Sequence, residues 1–267
     1  MGAAVVTVVL NLIALWKQEQ VRPMSRAERA EPRPAFRDAW ADYVAGGQAG
    51  RLMIVVFLGT LAFNMQDVLL EPYGGEVLGL SVSATTLLTA AWSAGALAGF
   101  AIAARWLKRG LLPVRMCARG ILFGIAAFSL VVFSDPMQSP ALFYAGATGI
   151  GFGGGLFAVA TLTAAMTMRT AGAGLALGAW GAAQATAAGL AIFAGGGIRD
   201  GIGALAERGV FGPVLSHPAT GYSAVYHLEI GLLFVTLIAL GPLVRDALHD
   251  RPMPTDRRGI GLADLPT

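Results

Sequence analysis

Residues 52–71 read LMIVVFLGTLAFNMQDVLLE, a run that is almost wholly apolar until Asn64, Gln66, Asp67 and Glu71 enter it. Twenty residues at about 1.5 Å each cross the roughly 30 Å hydrocarbon core of a bilayer as a helix. Five further blocks have the same character, at 83–104, 120–134, 141–168, 172–198 and 223–244. Backbone polar groups find no water inside a bilayer, and the alternation of a barrel strand is absent, so helices are the economical reading. The fold class expected is all-α: a polytopic membrane protein with a six-helix transmembrane domain over residues 52–244.

Composition agrees. Of 267 residues, 55% are hydrophobic and 13% charged, against about a quarter charged in a soluble domain. Mean hydropathy is +0.64. A seventh apolar run, 3–16, covers only about two-thirds of a bilayer. It lacks the basic start and cleavage site of a signal peptide and is expected to be a partial transmembrane helix, the end of one whose beginning is missing. Cys117 is the one cysteine, which excludes an internal disulfide and a multi-cysteine metal site. His217, His227 and His249 have no metal-ligand spacing, so no metal site is expected. Nor does any residue set read as catalytic: nucleophile–base pairs and ATP loops are absent. GIGFGG at 149–154 matches a dinucleotide pattern but lacks the strand and soluble βαβ unit that pattern requires. No nucleic-acid partner is expected; the bilayer is the partner that the composition names.

Basic residues gather in alternate connections. Residues 17–51 hold seven Lys or Arg, and 105–119 hold Arg105, Lys108, Arg109, Arg115 and Arg119 without one acid. The positive-inside rule then places 17–51, 105–119 and the tail 245–267 in the cytoplasm, with 72–82, 135–140 and 199–221 outside. This is the pattern of a multi-pass membrane protein with a cytoplasmic C-terminus. The linker 17–51 carries Phe36, Trp40 and Tyr43 near helical spacing; an amphipathic surface helix from about Pro34 and a solvated linker fit it equally. The polar, Pro-rich tail is expected to be disordered. Glycine pairs at GxxxG spacing (95/99, 151/155 and 174/178) mark helix faces suited to close approach.

Thr60, Asn64, Asp67 and Glu71 fall at i, i+4, i+7 and i+11, one polar stripe on a continuous helix. Pro72 is expected to end that helix and Gly74-Gly75 to turn the chain. Intramembrane ionisable groups normally face protein, a cavity or a ligand, which makes Asn64, Gln66, Asp67 and Glu71 the candidate ligand- or proton-binding residues. Glu71 and Glu76 also fit the headgroup zone. A secondary polar cluster is expected from Gln184, Tyr226, His227 and Glu229, with Gln184 or a tyrosine hydroxyl as the partner of Glu229. Tyr222 and Tyr226 read first as interfacial anchors, and His227 as a hydrogen bonder at a helix end.

The string QDVLLEPYGG at 66–75, followed by a Ser/Thr-rich helix start and continuing to Phe100, resembles the signature of the bacteriochlorophyll delivery family. These PucC-like and LhaA-like proteins form a branch of the major facilitator superfamily in phototrophic bacteria. The resemblance implies a membrane factor that assists light-harvesting complex assembly, with bacteriochlorophyll as cargo and antenna polypeptides as partners, in the cytoplasmic or intracytoplasmic photosynthetic membrane. It carries over Gln66, Asp67, Glu71, Pro72, Tyr73, Gly74 and Gly75 as family-motif positions. It also implies twelve spans in two halves, of which this chain matches the second, so that an N-terminal half is missing. The superfamily's loop motif survives only as ARWLKRG at 104–110, without its acid. No tightly bound cofactor is expected. The magnesium of a chlorin takes hard oxygen ligands, which Asn64, Gln66, Asp67 or Glu71 can supply. Two other functions suit the same residues: proton-coupled secondary transport through Asp67 or Glu71, and a membrane interaction module without a small ligand.

Overall fold

The apolar blocks do become helices, and their ends are set by caps, prolines and glycines. The computed structural model describes residues 2–15, 35–45, 47–167 and 173–249. The chain divides into two units, Met1–Ala39 and Trp40–Thr267. The first contains α1 (Gly2–Leu15), whose 14 residues reach about 21 Å. Most of the linker, with the onset at Pro34, and the tail beyond His249 lie outside the described residues.

Helix α2 (Phe36–Ala45) crosses from the first unit into the second. In the second unit follow α3 (Gln48–Asn64), a 3-10 turn over Met65–Val68, α4 (Leu70–Glu76), α5 (Val82–Lys108), α6 (Pro113–Ser134), α7 (Pro140–Thr167), α8 (Ala173–Glu207) and α9 (Ala219–His249). Six helices among the described residues are long and apolar enough to cross a membrane: α3 with its 3-10 extension, and α5 to α9. The protein is an all-α, multi-pass membrane protein. Tyr43 of α2 is fully buried against Ala49, Ala176 and Ala179, whereas Phe36 is 72% exposed.

The four largest departures from the expected blocks have local causes. Block 120–134 extends back to Pro113, because proline at the first helical position has no intrahelical acceptor to lose; Arg115 and Arg119 are therefore helical. Block 172–198 runs on to Glu207 and carries Arg199 and Asp200, expected in a loop, on the helix. Gly209, at φ +73°, ends it. The last helix continues through Arg245 to His249 and accommodates Pro242. The fourth difference is the break after Asn64.

Glycine governs the packing of α7 against α5. A Cβ at Gly95 would lie 2.0 Å from the Thr148 carbonyl oxygen, and one at Gly151 2.1 Å from that of Trp92. Two of the GxxxG pairs thus face each other, backbone on backbone. The third pair does not: Gly174 and Gly178 have open space where a Cβ would go. GIGFGG is the centre of α7, a packing face within a membrane helix.

Candidate functional site

The break after Asn64 shapes the site. The Asn64 amide donates to its own helix, to the Thr60 carbonyl at 2.6 Å, and so competes with the backbone ladder. A continuous helix would also drive the Pro72 ring into the Val68 carbonyl, four residues back. The chain tightens over Met65–Val68 and restarts at Leu70, which puts Pro72 in the first turn of α4. Pro72 therefore does not end a helix, and Gly74 and Gly75 are helical rather than a turn. Close approach of α8 holds the break in place: a Cβ at Gly195 would lie 2.5 Å from the Met65 carbonyl oxygen.

The polar stripe stays on one side of this broken element, split between two cavities. Thr60 and Asn64 line one of about 150 Å³ together with Trp92 and Gln184. Gln66, Asp67 and Glu71 line another of about 220 Å³ with Leu88, Thr89 and Trp92. Trp92 of α5 is common to both, and its indole N–H is buried without a partner. Thr89 donates to Glu71 at 2.5 Å. Gln66, 1% exposed, donates from its amide nitrogen to Asp67 at 2.5 Å, while its amide oxygen is unpartnered. Asp67 itself is exposed on the mouth of the cavity.

The expected second cluster is not one. Gln184 lines the Thr60–Asn64 cavity; it does not bond Glu229, whose two oxygens are buried and unpartnered. His227 is exposed on another face of α9 and bonds the Ser223 carbonyl at 2.7 Å. Tyr226 and Glu229 remain together, both fully buried, facing the 3-10 turn and α4. No hydrogen bond of regular geometry reaches either oxygen of Glu229. Tyr226 and Tyr222 are not interfacial anchors: both are at 0% exposure and meet Tyr73 edge-on, with ring centres 5.4 Å away in each case. Tyr73 also packs on Phe143 and lies 3.3 Å from the Ser134 hydroxyl. Burial raises the pKa of the Tyr73 phenol, which stays a neutral hydroxyl.

Glu76 has a partner that no local reading supplies. Arg199, 123 residues on, donates to it at 2.5 Å, and the Tyr222 hydroxyl donates to the same oxygen at 2.7 Å. Arg199 also donates to Tyr222 at 2.7 Å and to Asp200 at 2.8 Å. The triad ties the end of α4 to α8 and α9. Adjacency in sequence puts Arg199 beside Asp200, but sequence reasoning missed its reach to Glu76, along with Thr89 and Trp92. The Ser/Thr-rich start of α5 was the available signal for Thr89.

The motif residues of 66–75 thus gather on the 3-10 turn and α4, where α5, α8 and α9 converge, and comparison with known proteins bears on the same stretch. The PUCC protein family model matches residues 1–248. The chain belongs to this family. A Rhodobacter capsulatus relative, described as an uncharacterized protein in the puhA-bchM intergenic region, is 56% identical over 268 residues, covering 100% of this chain and 56% of its own. Protein PucC of Cereibacter sphaeroides is 46% identical over 255 residues, 94% of this chain and 53% of its own. The bacteriochlorophyll synthase 44.5 kDa chain of Rhodobacter capsulatus is 34% identical over 202 residues, 72% and 46% of the two chains. This chain therefore spans about half the length of the curated relatives it matches. Membership in the PUCC family and six span-length helices make it a multi-pass bacterial membrane protein.

Proposed function

We propose that this chain serves, without catalysing a reaction, as a membrane assembly factor for photosynthetic light-harvesting complexes, and that it presents bacteriochlorophyll to antenna polypeptides. The names of the relatives, PucC and a bacteriochlorophyll synthase chain, support the pigment context. The observation that carries the reading is the cavity at Asp67 and Glu71, walled by Trp92 and Leu88. Its volume is below the roughly 300–1,000 Å³ of pockets that enclose a drug-sized ligand. A macrocycle would accordingly lie against its mouth, flat on the apolar helix faces, with only an edge inside. Magnesium favours hard oxygen donors, and Asp67 offers a carboxylate at that mouth, one oxygen of which is oriented by Gln66. The membrane is the cytoplasmic or intracytoplasmic photosynthetic membrane, with the C-terminus cytoplasmic.

The test is the absorption spectrum of protein purified from pigmented cells. Wild type should carry bacteriochlorophyll, and Asp67→Leu should carry several-fold less at equal abundance, with antenna assembly reduced in parallel. Pigment content unchanged in Asp67→Leu would remove Asp67 from this role.

A second reading, proton-coupled transport of a small molecule, has its own observation: Glu229 is a buried carboxyl with no fixed partner, near Asp67. Buried membrane carboxyls of this kind serve as proton sites. Solute flux into proteoliposomes driven by a pH gradient, and lost in Glu229→Gln, would favour it over the first.

A further inference from the structure

A third cavity lies away from the motif residues, at the α5–α6 connection, with a volume of about 310 Å³. Arg109, Arg115 and Arg119 line it together with Trp106, Leu111 and Leu112. The chain is folded to make it. Gly110, at φ +77°, closes α5, with the Leu111 N–H returning to the Trp106 carbonyl at 3.0 Å. This glycine-terminated cap turns the connection sharply, so that α6 can begin at Pro113 beside the end of α5. Arg119, one and a half turns into α6, then reaches back over the Trp106 ring, with its guanidinium carbon 5.0 Å from the ring centre.

Three guanidiniums around one cavity repel one another unless an anion sits among them. Among the described residues no carboxylate pairs with Arg109, Arg115 or Arg119; the two ion pairs belong to Arg199. The segment 105–119 contains no acid. The first turn of α6, capped by no side chain, adds the positive end of a helix dipole. Guanidinium is also the cation suited to phosphate, which it binds through paired N–H donors. The other wall is apolar, and the cavity sits where two membrane-crossing helices end. Charge on one wall and Trp and Leu on the other, at the rim of the membrane, is the environment of a lipid headgroup joined to its chains.

We propose that this cavity binds the phosphate headgroup of an anionic membrane phospholipid. Arg109, Arg115 and Arg119 hold the phosphate, while Trp106, Leu111 and Leu112 take the glycerol backbone and the start of the acyl chains. The site is independent of the Asp67 cavity and of the pigment reading.

Native mass spectrometry of the full chain, delipidated in detergent, tests it with phosphatidylglycerol and phosphatidylcholine of matched acyl chains. Phosphatidylglycerol should be retained at least about tenfold better, since each basic group near an anionic lipid contributes roughly fivefold. The triple variant R109Q/R115Q/R119Q should lose this preference. The pair R105Q/K108Q, in the same basic segment but outside the cavity lining, should keep it. If the triple variant fails to accumulate, the singles R109Q and R115Q carry the test, each expected to lose roughly fivefold. Millimolar inorganic phosphate should leave bound phosphatidylglycerol in place, because the apolar wall holds the tail. Binding of inorganic phosphate with no preference for phosphatidylglycerol would show a free-anion site and overturn the lipid assignment. Equal preference in wild type and the Arg variants would overturn the cavity.

Discussion

Gly95→Ala and Gly151→Ala each add one methyl group where two helix backbones touch, and their cost follows from the geometry. The added carbon would stand 2.0 Å from the Thr148 oxygen in one case and 2.1 Å from the Trp92 oxygen in the other. Ordinary carbon–oxygen contacts begin near about 3.3 Å, so α5 and α7 must part by roughly 1.3 Å. Both obstructing atoms are backbone, so no rotamer change relieves the clash. Overpacking typically costs 1–3 kcal/mol, and a rigid contact belongs at the upper end, about 3 kcal/mol. For a chain of this length that corresponds to a Tm lowered by about 6–12 °C. Thermal unfolding of the purified protein in detergent, followed by the loss of monodisperse protein, measures it. Gly178→Ala is the matched control: it has the same GxxxG spacing but open space at the Cβ, and should leave Tm unchanged or slightly raised, since alanine favours a helix over glycine. If Gly95→Ala and Gly178→Ala melt together, the two GxxxG pairs do not make the α5–α7 contact.

Glu229→Leu should raise stability by about 1–3 kcal/mol, because it removes a buried carboxyl that has no hydrogen-bond partner; a lower Tm would mean that Glu229 is a structural tie after all. Tyr222→Phe should cost about 1–2 kcal/mol through loss of its bond to the Glu76 carboxylate, whereas a double-mutant cycle on Arg199 and Glu76 should give a coupling under about 1 kcal/mol, since both side chains are partly solvated. In a Cys117→Ala background, an impermeant thiol reagent added from the periplasmic side should label Ser81→Cys and spare Ser25→Cys; the reverse pattern would invert the orientation drawn from the basic connections.

The fold class was legible because a bilayer imposes length and polarity together; five blocks met both demands, and the sixth, 120–134, reaches span length through its extension back to Pro113. The ends of the helices were less so. Arg115, Arg119, Arg199 and Asp200 are charged, and charge was read as loop, yet a helix continues past the hydrocarbon wherever caps allow. The break at Met65–Val68 was legible in principle from Pro72, whose ring forbids a helical carbonyl at Val68. Taking Pro72 as a terminator moved the break seven residues too late. Two of the three GxxxG pairs meet at an interface and the third does not, because spacing identifies a face that can pack closely and not the neighbour that does so. Tyr222 and Tyr226 misled for a related reason: a tyrosine near a span end suits the interface, but here Tyr73 and Phe128 supply a buried aromatic cluster for both.

The acids along residues 63–81 are tolerated for different reasons, and the differences point to where the chain can act. Glu76 is held by Arg199 and Tyr222, partners from 123 and 146 residues away. Glu71 takes the Thr89 hydroxyl from the facing helix. Both have an adequate structural account. Asp67 has one oxygen engaged by Gln66 and stands at a cavity mouth. Around it lies most of the unused hydrogen-bonding capacity among the described residues: the Gln66 amide oxygen, the Trp92 N–H, the Tyr226 hydroxyl and both oxygens of Glu229, with the Tyr43 hydroxyl, packed among Ala49, Ala176 and Ala179, the exception. Native interiors leave few such groups, and each costs about 1–3 kcal/mol relative to a satisfied one. Trp92 faces the same cavity as Asp67, while Glu229 and Tyr226 lie behind the 3-10 turn. A chain that served only to pack helices would gain stability by replacing these groups with apolar ones. Their convergence on one short turn is what a site for a ligand or a proton requires, and it makes the two sides of that turn, Asp67 with Trp92 and Glu229 with Tyr226, the pairs to vary together.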